Sequence, residues 1–376
     1  MVSLKHPEEV LALREIYDAG FFLVGLYTPE SERLRHLCEV KGLSESEARR
    51  LMLRDQEEPV EHGQQSRDAF QLSDVFIRID SDVARNEGIS RFLDLVFGNP
   101  RITPTRDEHA MFLAYAAACR SAALARQVGA VVLSDEGDVL AVGANDVPRF
   151  GGGQYWPGLD DAWDHQRGHD SNATQRDEIV TDIVERLVKE GLLQAEHRER
   201  LDLAEKAIRE SRLIDITEYG REVHAEMEAL LSCARSGGRT RGGSLFTTTF
   251  PCHNCAKHVV GAGLARVVFV EPYPKSKAVD LHSDALTLEE SEKGRKVLLE
   301  PFVGVGPRRY LDLFSMRLGT GSPLERKVGK IVAPWRREGA RPRVQMRPLS
   351  YLQKEHAAQI VVKKLRGGDQ PKGDDA

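Results

Sequence analysis

The sequence predicts an α/β protein, and two stretches carry that prediction. From Pro7 to Ala19 apolar residues recur at helical spacing, and a continuous apolar run, Phe21 to Tyr27, follows between Gly20 and Thr28-Pro29, as a buried strand does. Farther on, helix and strand patterns alternate: Glu222 to Ala234, Ser244 to Thr248, His253 to Ala262 and Arg266 to Val270. Alternation of this kind implies parallel strands joined by helical crossovers.

The remaining elements fill in around these two. Charged helices fit Glu30 to Val40 and Ser44 to Arg54, a polar loop runs from Pro59 to Ser66, Asp74 to Ile79 reads as a buried strand, and Glu87 to Phe97 reads as a helix. Pro100 to Pro104 marks a boundary. An Ala-rich helix from Thr105 to Ala125 then leads into strands at Val128 to Leu133 and Val139 to Val142, joined by a turn at Ser134 to Asp138. Pro148 to Tyr219 has the character of an insertion: it opens on Gly151-Gly152-Gly153 and continues into charged helices at Asp177 to Glu190 and Glu199 to Arg212. Three segments are therefore expected: 1–103, 104–320 with the insertion at about 150–219, and a cation-rich extension, 321–376, ending in a tail of disordered composition.

Composition narrows the function classes. A chain of 376 residues with 41% hydrophobic content has enough apolar side chain for real cores and for two domains. A formal net charge of -5 gives no global attraction to nucleic acid, although it leaves room for local basic patches. Five cysteines, Cys38, Cys119, Cys233, Cys252 and Cys255, are an odd number without disulfide-framework spacing, which suits a reducing compartment and metal binding. The N-terminus lacks a basic start followed by an apolar stretch, and no apolar run approaches the ~20 residues of a membrane span. The expectation is a cytoplasmic protein with no membrane partner.

The chemistry concentrates in His224-Ala225-Glu226 and, a helix and a strand later, Pro251-Cys252-His253-Asn254-Cys255. Two cysteines three apart at a helix start direct both sulfurs at one point, and the exposed N–H groups and dipole there favour thiolate. His224, at the opening of the preceding helix, supplies a third ligand for Zn2+. Three protein ligands leave the fourth tetrahedral position to water, as in catalytic zinc sites. Glu226 is not needed as a ligand and is placed to carry protons. The alternative is a closed structural site, for which Cys233 and His253 are the nearest fourth ligands. His-x-Glu combined with Pro-Cys-x-x-Cys is the zinc-deaminase pattern.

At these residues the chain resembles the cytidine and deoxycytidylate deaminase superfamily. Arg120-Ser121, Gln127-Val128-Gly129-Ala130-Val131-Val132 and Gly143-Ala144-Asn145 resemble the deoxycytidylate branch, as do Thr247-Thr248-Thr249-Phe250 before Pro251 and Gly261-Ala262-Gly263 before the strand at Val267 to Val270. The resemblance covers roughly residues 105–315. It implies a three-layer α/β/α fold acting on free deoxycytidine nucleotides, with Glu226 catalytic and His224, Cys252 and Cys255 on the metal. It further implies substrate contacts from Asn145, Arg120 and Tyr273, and a homo-oligomer.

The first hundred residues carry a second resemblance. Arg54-Asp55-Gln56-Glu57, Gly63 to Phe70 and Asp74-Val75-Phe76-Ile77 resemble the latter half of a nucleotide-kinase-like P-loop domain. Bacterial antiphage dCTP/dCMP deaminases combine such a domain with a deaminase, and the tracts Glu271 to Lys277 and Phe302 to Tyr310 are similar to that group. The chain departs from it in having no G-x-x-x-x-G-K-[ST] loop before the first strand and helix, so the segment is either truncated or a scaffold, and ATP turnover is not expected. The leading functional expectation is deamination of dCMP or dCTP, for thymidylate supply or for nucleotide depletion during phage infection. Two others compete with it: a nucleic-acid editing deaminase that uses the basic C-terminal region, and a non-catalytic zinc protein that senses nucleotides. The acidic total charge weighs against the editing reading, and Glu226 weighs against the sensor.

Overall fold

The computed structural model describes residues 3–56, 65–158, 162–194, 198–273, 275–344 and 348–367. Helix α1 (Pro7–Tyr17) starts with proline in its first turn and a capping box: His6 accepts from the Glu8 N–H while the Glu9 carboxylate accepts from the His6 N–H. Strand β1 (Val24–Tyr27), helices α2 (Glu30–Glu39), α3 (Glu45–Gln56) and α4 (Ser66–Gln71), strand β2 (Val75–Arg78) and helix α5 (Asp82–Val96) follow. Helix α5 starts five residues before the position predicted from periodicity, because Ser81 Oγ caps it at the Ala84 N–H. Most of the polar loop at 59–66 lies outside the described residues.

Helix α6 (Arg106–Ala118) ends earlier than its alanine content predicts. Its last turn closes with N–H groups of Arg120 and Ser121 on the carbonyls of Ala117 and Ala118, and Ser121 Oγ then leaves the helix to donate to the Asn145 carbonyl at 2.6 Å. Strands β3 (Gly129–Leu133) and β4 (Val139–Ala144) form the expected hairpin. The insertion holds α7 (Asp164–Arg167), α8 (Ser171–Lys189) and α9 (Arg198–Arg209). Next come α10 (Ala225–Ser236), β5 (Ser244–Thr249), α11 (His253–Gly261), β6 (Arg266–Glu271), α12 (Ala278–Leu281), β7 (Leu286–Thr287) and β8 (Val297–Pro301). The chain ends with β9 (Gly304–Val305), α13 (Tyr310–Phe314), a small hairpin of β10 (Lys327–Val328) and β11 (Ile331–Val332), and α14 (Pro348–Gly367). The tail beyond Gly367 lies outside the described residues.

The chain divides into two compact units, residues 1–109 with 302–376, and residues 110–301. This grouping differs from the boundaries read from the sequence, because the segment after Phe302 returns to the first unit. There β1 and β2 pair in parallel, β9 adds antiparallel to β2 through Val75 opposite Val305, and Asp74 is a buried hub. Its carboxylate accepts from Arg14, from Arg309 Nε at 3.3 Å and from the Leu23 N–H at 2.8 Å. Cations of the C-terminal extension are also used internally: Arg337 pairs with Asp94 at 2.8 Å, buried Arg343 donates to the carbonyls of Leu313 and Ser315, and Lys354 donates to the Glu15 carbonyl.

The second unit is built on a six-stranded sheet of order β4-β3-β5-β6-β8-β7. Strand β3 is antiparallel to both β4 and β5, whereas the pairs β5-β6, β6-β8 and β7-β8 are parallel, as the helix-strand alternation predicts. Neighbouring residues of a strand face opposite sides, which reveals the layers. On one side the backbone of α6 comes so close to Gly129 that a Cβ would lie 1.9 Å from the Ala114 carbonyl oxygen. On the other side Ala130 and Val132 form a core with Ala225 and Ala229 of α10 and Ala256 and Val259 of α11. Helix α6, the sheet, and α10 with α11 are the three layers. Among the described residues, no helix is long and apolar enough to cross a membrane.

Candidate metal and active site

The site lies where two helices begin. His224 is the N-cap of α10 and Cys252 is the N-cap of α11, so His224 stands just before its helix and not on its opening turn. Cys252 Sγ accepts from the Cys255 N–H at 3.4 Å, which folds the Cys-x-x-Cys so that both sulfurs share one side. His224 Nδ1 lies 3.4 Å from Cys252 Sγ and 3.3 Å from Cys255 Sγ. Zinc bonds of about 2.3 Å to sulfur and 2.0 Å to nitrogen at tetrahedral angles separate S from N by about 3.5 Å. Both nitrogen–sulfur distances are therefore within a few tenths of an ångström of those that zinc requires, and all three donors lie within 4.8 Å of one another.

Among the described residues these three are the one group of three or more His, Cys, Asp or Glu side chains close enough to share an ion. Neither fourth ligand weighed from the sequence joins them: Cys233 is fully buried in the apolar core of α10, and His253 Nδ1 is buried without a hydrogen-bond partner outside the group. What accompanies them is Glu226, buried on the first turn of α10, with Oε2 3.5 Å from Cys255 Sγ.

The electrostatics follow from this crowding. The hydrogen bond from Cys255 and the neighbouring His224 lower Cys252 to about 4, so it is a thiolate. That thiolate raises His224 to about 9. Cys255 is pushed well above the ordinary thiol range, first by its bond to the Cys252 sulfur and then by burial. Burial also raises Glu226, which favours a carboxyl able to hold a proton.

The substrate contacts predicted from the sequence are placed differently from one another. Asn145 is buried, and its Oδ1 accepts from the Val128 N–H at 2.6 Å while its Nδ2 donates to the Arg126 carbonyl at 2.8 Å. Arg120 turns into the insertion: it donates to Gln154 Oε1 and to the Tyr155 carbonyl, and its guanidinium lies 4.1 Å from the centre of the Trp156 ring. Tyr273 is half-buried beyond β6, outside the metal group.

Three features of this neighbourhood were not read from the sequence. Asp146 and Val223 exchange backbone hydrogen bonds of 3.2 and 3.0 Å, tying the end of β4 to the residue before His224. Glu222 is raised by burial and then by Asp164 and Asp146, so carboxyl groups gather next to the histidine. Arg126 pairs with Glu271 at 2.5 Å and donates to Thr249 Oγ1, bracing the strand that delivers Pro251 and Cys252. Asp146 and Glu222 sit one and two residues from predicted site residues, but their side chains meet only through the β4 to α10 bridge.

Residues 104–271 match the cytidine and deoxycytidylate deaminase zinc-binding region. The matched zinc-binding region contains His224, Glu226, Cys252 and Cys255, and it supports this family for that part of the chain. The deoxycytidylate deaminase of Enterobacteria phage T4 is 39% identical over 56 residues, 15% of this chain and 29% of the relative. That of Mus musculus is 29% identical over 99 residues, 26% of this chain and 47% of the relative. The chain thus spans less than half the length of these relatives. A crystal structure of dCMP deaminase from the cyanophage S-TIM5 in complex with dCMP and dUMP aligns over 54% of this chain and all of that one, at 19% identity and a TM-score of 0.30.

Proposed function

We propose that this protein is a zinc-dependent hydrolase that converts free deoxycytidine nucleotides, dCMP or dCTP, to deoxyuridine nucleotides and ammonia. The observation that carries the reading is Glu226: a buried carboxyl with a raised pKa beside a three-donor metal group, where a closed structural site has no use for one. When bound, zinc supplies a Lewis acid that lowers the pKa of water towards neutrality. Glu226 takes a proton from the attacking water and delivers it to the ring nitrogen next to C4, then takes the second proton from the hydroxyl now on C4 and passes it to the departing amine as the carbonyl forms. His224, Cys252 and Cys255 hold the metal, and the Asp146–Val223 bridge orients the histidine. Arg126 and Glu271 brace the end of β5, which leads to Cys252.

Free nucleotides are favoured over nucleic acid because Arg337, Arg343 and Lys354, cations that an editing enzyme would lay along a phosphate track, make internal contacts instead. The biological role we assign is depletion of deoxycytidine nucleotides during phage infection. It rests on the resemblance of residues 1–103 to a partial kinase-like segment, which acts here as a scaffold. None of the five cysteines forms a disulfide, in keeping with a cytoplasmic setting.

The test incubates zinc-loaded protein with dCMP, dCTP, CMP, deoxycytidine and cytosine-containing single-stranded DNA and measures ammonia and the uracil product. Conversion of dCMP or dCTP alone is expected. Conversion of DNA alone, or of nothing, overturns the proposal. Glu226→Gln should lose at least about a hundredfold in turnover with its zinc content unchanged.

A further inference from the structure

The loop between β6 and α12 supplies no metal donor and no proton carrier, yet it grips the chain where it enters the cysteines. Pro251 is buried, and a proline has a carbonyl but no N–H to satisfy. That carbonyl accepts from Ser276 Oγ at 2.7 Å. It belongs to the peptide leading into Cys252, the N-cap of α11 and one of the three metal donors. One residue earlier, the Phe250 N–H donates to the Glu271 carbonyl, also at 2.7 Å. The approach to the cysteines is therefore held at consecutive residues, by the end of β6 and by the loop that follows it.

The Ser276 hydroxyl is fixed from its other side. It accepts from the Ala278 N–H at 3.2 Å while donating to Pro251, so its proton and a lone pair are both directed. Ala278 is fully buried in the core that contains Ala256 and Val259 of α11. The Ser276 N–H closes a turn on the Tyr273 carbonyl at 3.0 Å. The bond to Ala278 would be enough for a loop serine; the bond to Pro251 is the one that reaches the metal group. Cys252 has φ -70° about the bond that leaves this peptide. Rotating the Pro251–Cys252 peptide therefore swings Cys252 Sγ relative to Cys255 and His224.

We propose that Ser276 is a positioning residue of the metal site: by fixing the Pro251–Cys252 peptide, it keeps Cys252 Sγ where it can share an ion with Cys255 and His224. The proposal rests on the reading of those three side chains as zinc ligands. Groups that orient metal ligands from outside the coordination sphere change metal affinity about 10–100-fold when removed.

The test challenges the zinc-loaded full chain with excess 4-(2-pyridylazo)resorcinol and measures the rate of zinc release. It also records the thiolate-to-metal absorption band of the cobalt(II)-substituted chain, which reports sulfur geometry. Wild type is compared with Ser276→Ala, with Ser276→Thr, which keeps the hydroxyl, and with Thr287→Ala. Thr287 is a matched control on the edge strand β7: its hydroxyl donates to Glu292 at 2.7 Å and accepts from the Glu289 N–H at 3.0 Å. Ser276→Ala should release zinc about tenfold faster and alter the cobalt band. Ser276→Thr should restore both, and Thr287→Ala should lower the melting temperature while leaving both at wild-type values. An unchanged release rate and band in Ser276→Ala overturn the proposal, as does an equal acceleration in Thr287→Ala, which would reduce the effect to general loosening. A wild-type chain with no thiolate band overturns the zinc reading itself, and this proposal with it.

Discussion

Loading the metal site should release close to two protons per zinc at neutral pH, a count that follows from the three donors. In the metal-free protein at pH 7, Cys252, lowered to about 4, is already a thiolate, whereas His224, raised to about 9, is an imidazolium and Cys255 is a thiol. Zinc takes neutral imidazole and thiolate only, so it displaces one proton from His224 and one from Cys255. The sign is fixed: protons compete with the metal, and zinc affinity rises with pH. Between pH 6 and pH 8 both protons are present before loading, so apparent affinity should rise about 10^4-fold, roughly 5.4 kcal/mol. Above the His224 value the slope should fall to about one proton. The assay is zinc calorimetry in buffers of different ionisation enthalpy, run on Glu226→Gln to remove the carboxyl beside Cys255. A count below one proton, or an affinity flat between pH 6 and pH 8, would refute the reasoning.

Two further outcomes follow from close contacts. Gly143→Ala places a Cβ 2.3 Å from the Ala225 carbonyl oxygen and 2.5 Å from the Ala229 nitrogen, both backbone atoms of α10. A loss of about 2–3 kcal/mol in stability is expected, together with weaker zinc retention as the helix capped by His224 is pushed off the sheet; an unchanged melting temperature and zinc content would contradict the packing. Arg120→Ala removes the bonds to Gln154 and Tyr155 and the stack on Trp156, at a cost of about 1–3 kcal/mol. Its effect on kcat/KM should be the same for dCMP as for deoxycytidine, whereas a selective loss on dCMP would restore Arg120 to the substrate phosphate.

Some features were legible because the relevant physics is local. The periodicity of residues 222–270 was sufficient to predict β5, α11 and β6 and their parallel pairing, since crossover connections leave few alternatives. Cys252 and Cys255 stood out as candidate metal ligands through their three-residue spacing at a helix start. Where local patterns misled, a single hydrogen bond was the reason: Ser81 starts α5 early, and Ser121 leaves α6 to reach the Asn145 carbonyl, ending a helix whose alanines would have continued it.

What the sequence by itself determined is the donor chemistry: which side chains could share a metal ion, which carboxyl stands beside them, and that strands alternate with helices. These depend on residue type and short spacing, which a linear chain displays. Tertiary structure alone decided that Arg120 is spent on the insertion, that the amide of Asn145 holds the backbone of Arg126 and Val128, and that the chain after Phe302 returns to pair with β2. Each of these depends on which distant backbone atom reaches a polar group first, a competition settled only when the layers pack.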